Sequence, residues 1–564
     1  GCRMKSAYDV IVLGAGAAGM AACLFARLNG LSALLVERTE HLGGTSAFSA
    51  ATIWVPGSPL AASVGAPPDD SAHARTFLNE TVGNHSSAAM RDAFLHWGPQ
   101  AIARLQNETQ VQLRARPLHP DYIQEAQGAT LRGRALEPLP FDGRKLGKKL
   151  GLIRPPIPEF TILGGLMIDR DDIAHLLKMT KTAESFLYAA QLIGSYGLDR
   201  LTHRRGTRLV MGNALIGRLL ASLDAAGADL VTQAETETLL TENGRVTGIK
   251  LRQNGRIYDI TARRGVVMAT GGFNRHPSRR AEMLPQPTAA FSPGAPGHTG
   301  RIHDMALALG AHYGGGALDN AFWAPVSTRR RADGSIAVFP HFVLDRGKPG
   351  TIVVNAAGRR FVNEATSYHL FTRAMYAAHR HSPSIPAFLI ADATALRKYG
   401  LGMVRPGGRG LKPFLADGYL VEAPSLSALA GKLGIDAQGL QTSVARMNDY
   451  AASGVDAEFG RGSTAYHRVN GDAAHAPNPN LGRLATAPFY AVRLLPGDIG
   501  AATGLVTNEY AQVMRGDGTP LPGLYAVGND MQSVMGGVYP GPGITIGPGL
   551  AFAYAAATHL TGAL

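Results

Sequence analysis

Apolar residues open the chain in a short unbroken run. Residues 8–13 (YDVIVL) are β-branched and end at a glycine, which predicts a buried parallel strand. Residues 17–28 carry helical spacing, and 33–37 (ALLVE) are apolar again, so the opening predicts one strand–helix–strand unit. Pro-rich stretches at 56–68 and 154–159 read as loops. Residues 171–201 show helical periodicity mixed with basic side chains. Residues 213–226 predict a helix, and 229–232, 246–253 and 256–261 predict a small β-meander. Residues 265–270 (GVVMAT) predict another buried strand. From about 275 to 487 the pattern loosens, with longer loops, more Arg and Pro, and no strand–helix alternation. It becomes strand-like again at Phe489. It closes as strand 524–527, loop 528–543 and helix 544–560. Residues 10–26 are apolar, but Gly14, Gly16 and Gly19 make them a poor membrane span, and no 18-residue apolar run occurs elsewhere. The pattern therefore predicts an α/β fold in which one domain (6–274) is interrupted by an α+β domain (275–487) and completed by 488–564. No internal repeat is visible.

Composition narrows the classes. Of 564 residues, 45% are hydrophobic and 17% charged, enough apolar material for packed cores and wrong for a disordered chain. Glycine is abundant without a Gly-X-Y period, which excludes collagen. Cys2 and Cys23 are too few for a disulfide framework, a zinc site or an iron–sulfur cluster, and they fit a reducing, cytoplasmic setting. The opening GCRMKSAYD lacks the apolar stretch of a signal peptide. The formal net charge is +13. It is spread rather than blocked, and no basic–aromatic repeat or zinc-finger spacing accompanies it, so nucleic acid is not expected. A basic surface suits plain solvation, an anionic membrane surface or an anionic substrate. Within 171–201, Lys178, Lys181 and Arg200 alternate with Phe186, Leu187, Tyr188, Leu192 and Ile193. That mixture fits either an ordinary surface helix or a peripheral membrane contact.

The chemistry sits in small-residue loops. Gly14-Ala15-Gly16-Ala17-Ala18-Gly19 follows a predicted strand and opens a predicted helix. The first glycine allows the tight turn, the second lets backbone approach a pyrophosphate, and the third lets helix pack on strand. Glu37 ends the next strand, with Arg38 beside it, where a carboxylate accepts ribose hydroxyls. This combination predicts a Rossmann-like dinucleotide-binding domain. Gly43-Gly44-Thr45-Ser46 offers a second close-approach loop, which NAD alone does not need, so FAD is the expected cofactor. Ala269-Thr270-Gly271-Gly272, Gly528-Asn529 and Gly543-Ile544-Thr545-Ile546 repeat the same small-residue logic. The last begins a helix whose positive end suits a flavin that becomes anionic on reduction. No histidine lies within 44–53, so the flavin is expected to be noncovalent.

These pieces resemble the FAD-dependent fumarate reductase/succinate dehydrogenase flavoprotein superfamily across nearly the whole chain. Within it, residues 536–547 (GGVYPGPGITIG), Ile53-Trp54-Val55-Pro56 and Leu494-Leu495-Pro496-Gly497-Asp498 resemble the 3-ketosteroid Δ1-dehydrogenases. The resemblance implies roles for four residues. Tyr539 and Gly543 would hold the ketone oxygen through a hydroxyl and an N–H. Tyr368, after the Phe361-Val362-Asn363-Glu364 stretch, would be the base. Tyr122 would be the partner tyrosine that donates to a Tyr368 phenolate. It also implies a reaction in which C2 loses a proton and C1 a hydride to flavin N5, and a quinone-type electron acceptor. One departure is the Arg301-Ile302-His303 that stands where related flavoproteins carry Gly-Asp-Gly. A fumarate-reductase-like reading remains open. However, the places of its cationic clamps read Ala501-Ala502-Thr503-Gly504-Leu505 and Val538-Tyr539-Pro540-Gly541-Pro542. Desaturation of another cyclic ketone, or at the Δ4 position, also remains open. So does a flavin-binding protein without catalysis, which the tyrosine set argues against. His298 and His303 suggest a metal, but no set of ligands completes a site. Asp171 and Asp172 read as a helix cap, and Tyr510 and Tyr525 as packing residues.

Overall fold

The computed structural model describes residues 4–67, 70–163, 165–288 and 299–562. The apolar run at the start becomes strand Ala7–Leu13, central in an eight-stranded sheet. Ala33–Val36 pairs with it in parallel on one side, and Asp229–Val231 extends that side. On its other side lies Arg256–Met268, one long strand with two further partners. Its first half pairs antiparallel with Arg245–Gln253 and its second half pairs parallel with Pro520–Ala526. Ala234–Glu242 and Gln512–Met514 complete the sheet. Helices Ala17–Leu28, Met211–Ala226 and Ile546–Leu560 pack together over this sheet, so the last helix closes on the first.

The two predicted strands 256–261 and 265–270 are therefore one. The register with the first strand slips between Ala262 and Gly265, which absorbs the polar pair Arg263–Arg264 as a bulge, and Arg263 Nε reaches Asp9 Oδ1 at 3.1 Å. Ala234–Glu242 was not expected; its alternating Glu and Thr hide a strand that is only half covered. Residues 171–201 form two helices, Arg170–Leu177 and Ala183–Thr202. The cap is Asp169, in a capping box with Asp172, rather than Asp171 with Asp172.

The second sheet is antiparallel. Ala321–Arg330 lies between Ile336–Pro340 and Phe489–Ala501, and Ala387–Ala391, Thr351–Val354 and Val421–Ala423 complete it. Phe489–Ala501 thus belongs to this sheet, whereas the pattern assigned it to the returning first domain. Helix Tyr368–His379 packs on Ala321–Arg330. Among the described residues no helix is long and apolar enough to cross a membrane.

Candidate active site

Tyr368 is the first residue of its helix, with Ser367 as the cap that accepts from Leu370 N. The turn before it is fixed by buried charge. Glu364 takes two bonds from Arg360, at 2.6 and 2.8 Å, and one from Val353 N at 3.1 Å, while Arg360 also reaches Asp456. Tyr539 comes from the glycine-rich loop before the final helix, and Tyr122 from the loop after Asp121. These two loops touch directly: Tyr122 N donates to Pro540 O at 2.8 Å. Trp54 joins them, donating its backbone N–H to Gly543 O at 3.0 Å and its indole N–H to Asp121 at 2.8 Å. Buried Arg134 holds the same Asp121 at 2.7 Å. A Cβ on Gly541 would meet the Trp54 ring, so only glycine lets the loop lie that close.

Three tyrosines expected from distant parts of the sequence therefore meet. The Tyr122 and Tyr368 hydroxyls are 3.1 Å apart. Tyr539 stacks on Tyr122 at 5.7 Å between centroids and meets Tyr368 edge-on at 5.1 Å. The Gly543 N–H meets no acceptor among the described residues, at a backbone φ of +88°. Gly543 follows Tyr539 in the same loop, and a free N–H is what a developing oxyanion requires. Three members of the cluster were not legible in the sequence. Tyr466 lies 4.6 Å from Tyr122, Phe342 packs 4.8 Å from Tyr368, and Phe322 packs 5.3 Å from Tyr539. Isolated aromatics carry no local signal, and only the fold brings them here.

The electrostatics correct one expectation. Burial pushes the Tyr368 hydroxyl well above the ordinary tyrosine value, and its neighbours Tyr122 and Tyr539 push the same way. Burial likewise raises Tyr122, against the opposing pull of its bond to Tyr368. The hydrogen bond expected to stabilise a Tyr368 phenolate is present, but here it raises Tyr368 as burial does and lowers Tyr122 instead. Tyr539 is also raised by burial, with Tyr368 and Thr545 pulling it down.

The small-residue loops converge on one another. Gly43 N donates to Ala15 O at 2.7 Å, so the first two glycine loops lie against each other, with Gly44, Thr45 and Ser46 in the turn that follows. A Cβ on Gly14 would collide with the Ala269 carbonyl, and one on Gly19 with the Gly14 carbonyl. Asp530 ties the remaining pair. It accepts from Thr270 N at 2.5 Å and Gly272 N at 3.0 Å. His303 meets the same carboxylate at 2.7 Å, so a carboxylate does partner His303; its other ring nitrogen faces Tyr313. His298 lies outside the described residues. Among the described residues no group of three or more His, Cys, Asp or Glu is placed to hold a metal.

A family described as "FAD binding domain" matches residues 9–546. The chain belongs to this family. It is 35% identical over 566 residues to a 3-oxosteroid 1-dehydrogenase of Mycobacterium tuberculosis, covering 98% of each chain. It is 36% identical over 554 residues to a 4-oxocyclohex-2-ene-1-carboxylate 5-dehydrogenase of Sinomonas cyclohexanicum, covering 98% of this chain and 93% of that one. A crystal structure of 3-ketosteroid delta1-dehydrogenase from Sterolibacterium denitrificans, in complex with 1,4-androstadiene-3,17-dione, matches with a TM-score of 0.92 and 34% identity over 99% and 100% of the two chains.

The cofactor of this flavoprotein is FAD, and the residues present fit it. Helix Ala17–Leu28 begins at Gly16 with no side-chain cap, and helix Ile546–Leu560 begins uncapped at Thr545. The first keeps N-terminal N–H groups for an anionic group, whereas in the second Gly547 N already donates to Gly543 O and Pro548 has none, which leaves the Ile546 N–H. The helices meet where a Cβ on Gly528 or Gly549 would stand 3.2 Å from Ala18 Cβ. Beside them Phe322, Gly528, Asn529, Met531, Ile544 and Thr545 line a narrow cleft. Glu37 is buried, accepting from Ala15 N at 3.2 Å and Thr39 N at 2.8 Å. Arg38 is half exposed and pairs with Glu235 at 3.6 Å.

Proposed function

We propose that this flavoprotein introduces a C1–C2 double bond into 3-ketosteroids. The observation that carries the reading is the meeting of Tyr368, Tyr122 and Tyr539. In this reading the ketone oxygen accepts from the Tyr539 hydroxyl and Gly543 N–H, which acidifies C2. Tyr368, hydrogen-bonded to Tyr122, takes the C2 proton. Bound FAD supplies the hydride acceptor. Phe322 and Phe342 close the tyrosines off with apolar surface, which suits a steroid ring. The role of Gly14, Gly16–Gly19, Glu37, Gly44–Ser46, Ala269–Gly272, Gly528–Asn529 and Gly543–Ile546 is to hold FAD noncovalently. Acid precipitation should then release yellow flavin into the supernatant; colour kept in the pellet would contradict it.

A second substrate class has its own support. The 36% identity to a dehydrogenase of an oxocyclohexene carboxylate favours a small ring ketone under the same chemistry. Anaerobic mixing with 4-androstene-3,17-dione and with 4-oxocyclohexanecarboxylate separates the two. The steroid reading expects flavin bleaching with the steroid at least about tenfold faster at equal concentration, a difference of about 1.4 kcal/mol in barrier. The reverse order would overturn it. A quinone-type acceptor belongs to the same proposal and is tested by whether a soluble quinone restores the oxidised spectrum.

Peripheral membrane contact is the remaining part of the reading. Leu177, Phe186, Leu187, Leu198 and Leu201 are 56–80% exposed on the two helices between 170 and 202, with Lys178, Lys181 and Arg200 on the same segment. Tyr188 and Leu192 turn inward instead, Tyr188 to Asp172 at 2.5 Å and Leu192 into a small cluster with Leu166 and Tyr196. Sedimentation with anionic liposomes is expected, and failure to sediment at low salt would reject the contact.

A further inference from the structure

Arg346 is 2% exposed and meets no carboxylate through its guanidinium among the described residues. Four backbone carbonyls solvate it instead. Nε donates to His341 O at 2.8 Å, Nη2 to Phe342 O at 2.7 Å, and Nη1 to Glu364 O at 2.7 Å and Thr366 O at 2.5 Å. The neighbouring Asp345 accepts from His341 Nδ1 at 2.7 Å, Gly402 N at 2.8 Å and the Arg346 backbone N–H at 2.7 Å, so its charge is felt by the guanidinium without a direct pair. A buried cation that no carboxylate touches directly is costly. Arginine cannot relieve that cost by losing its proton. Such a charge is retained where an anion forms in its neighbourhood.

The anion's place follows from the surroundings. The carbonyls of Glu364 and Thr366 belong to the turn that launches Tyr368. Phe342, from the same loop as Arg346, packs on the Tyr368 ring. The guanidinium lies 5.4 Å from the Phe371 ring, on the first turns of the Tyr368 helix. Its field reaches Tyr466, Tyr368 and Tyr122. The loop is braced from behind by Ser327, whose hydroxyl meets His341 Nε2 at 2.6 Å and Tyr419 at 2.7 Å. Ser327, His341 and Asp345 have the spacing of a nucleophile triad, but all are buried, so their work is to hold this loop.

We propose that Arg346 is a positioning residue whose charge lets the cluster of Tyr368, Tyr122 and Tyr466 carry one phenolate. The inference rests on Tyr368 being the base. The proton that leaves the cluster passes to solvent, and Tyr368 later regains one from C2, so charge and protons balance. The groups facing Tyr368 are Tyr122 and Tyr539 from their loops, Tyr466 from helix Ala465–Val469, and Arg346 from the 341–346 loop. Arg116 acts on it through Tyr122, and the His369–Asp319 pair, 3.1 Å apart, lies beside Tyr539. Burial raises Tyr466 to about 12, with Arg346 pulling it down, the direction the inference requires.

The test is the pH profile of flavin reduction by 4-androstene-3,17-dione in single-turnover mixing, on holoenzyme. Arg346→Met should move the midpoint of the rising limb upward by about one to two pH units, the size of a nearby charge. Arg346→Lys, which keeps the charge and loses the four-carbonyl geometry, should leave that midpoint within a few tenths of wild type. An unmoved midpoint in Arg346→Met, with Tyr368→Phe inactive, would overturn the inference and leave the base assignment standing. A fast Tyr368→Phe would overturn the base assignment itself. If Arg346→Met does not fold, the wild-type limb decides. It must lie below the ordinary tyrosine value of about 10 despite burial, and a limb at or above it contradicts the proposal. Tyrosinate absorbance of wild type minus Tyr368→Phe should titrate with the same midpoint.

Discussion

Tyr539 and His467 show how single side chains express their surroundings. On the proposed reading Tyr539→Phe removes one of two donors to the ketone oxygen, and the barrier to flavin reduction should rise by on the order of 3 kcal/mol. Steroid affinity should change little, because apolar burial supplies most of it; stopped-flow rates against steroid concentration separate the two. His467 is a case of pH-dependent stability. Burial, with Arg461 and Arg346 nearby, lowers it from 6.5 to about 4. The unfolded chain thus binds a proton that the folded chain refuses. Stability from this group is full above pH 6.5 and is lost as pH falls from 6.5 towards 4, by on the order of 3 kcal/mol in all. His467→Gln should remove most of that slope between about pH 7 and about pH 5, and urea midpoints at the two values measure it. At this scale the sequence was uneven. Tyr368, Tyr539 and Tyr122 stand in recognisable local motifs. Tyr466, Phe342 and Arg346 stand in none, because their meaning comes from contacts outside their own elements, in the case of Tyr466 with Tyr122 across more than three hundred residues.

At the scale of elements, the glycine loops behave as close-packing devices before they are cofactor contacts. Gly14 has a φ of +105° and its missing Cβ is where the Ala269 carbonyl passes. Gly14→Ala should strain the turn by about 1–3 kcal/mol and separate the two loops. The expected result is loss of flavin absorbance after gel filtration with the far-ultraviolet circular dichroism retained. Full flavin retention would show that the two loops do not need this approach. Strands and helices with a plain period were legible, such as Ala7–Leu13, Ala17–Leu28 and Met211–Ala226. The failures have local causes. A bulge at Arg263–Arg264 split one long strand into two apparent ones. Ala234–Glu242 alternates Glu and Thr, which carries little apolar signal. The LPGD segment read as a family mark also has a packing reason: buried Asp498 binds Arg280 at 2.7 Å and Asn274 at 2.8 Å, anchoring the loop after Gly272.

At the scale of the whole molecule, the chain crosses between two sheets and returns. Phe489–Ala501 hydrogen-bonds within the second sheet, so we propose that the first domain resumes after Ala501 rather than at 488. The tyrosines are then contributed from both sides of this crossing, Tyr122 and Tyr539 with the first sheet's loops and Tyr368 with the second sheet's helix. Domain order was legible because composition changes at 275; the exact return was not, since a strand reads the same in either sheet. The arrangement makes one claim above the rest, that a base from the second domain works on a ketone held by the first. Anaerobic stopped-flow mixing of wild type and Tyr368→Phe with 4-androstene-3,17-dione tests it most directly. The account predicts flavin bleaching in wild type and a rate lower by a factor of about 10² to 10⁴ in the variant, with FAD still bound. Near-wild-type bleaching in Tyr368→Phe would contradict it.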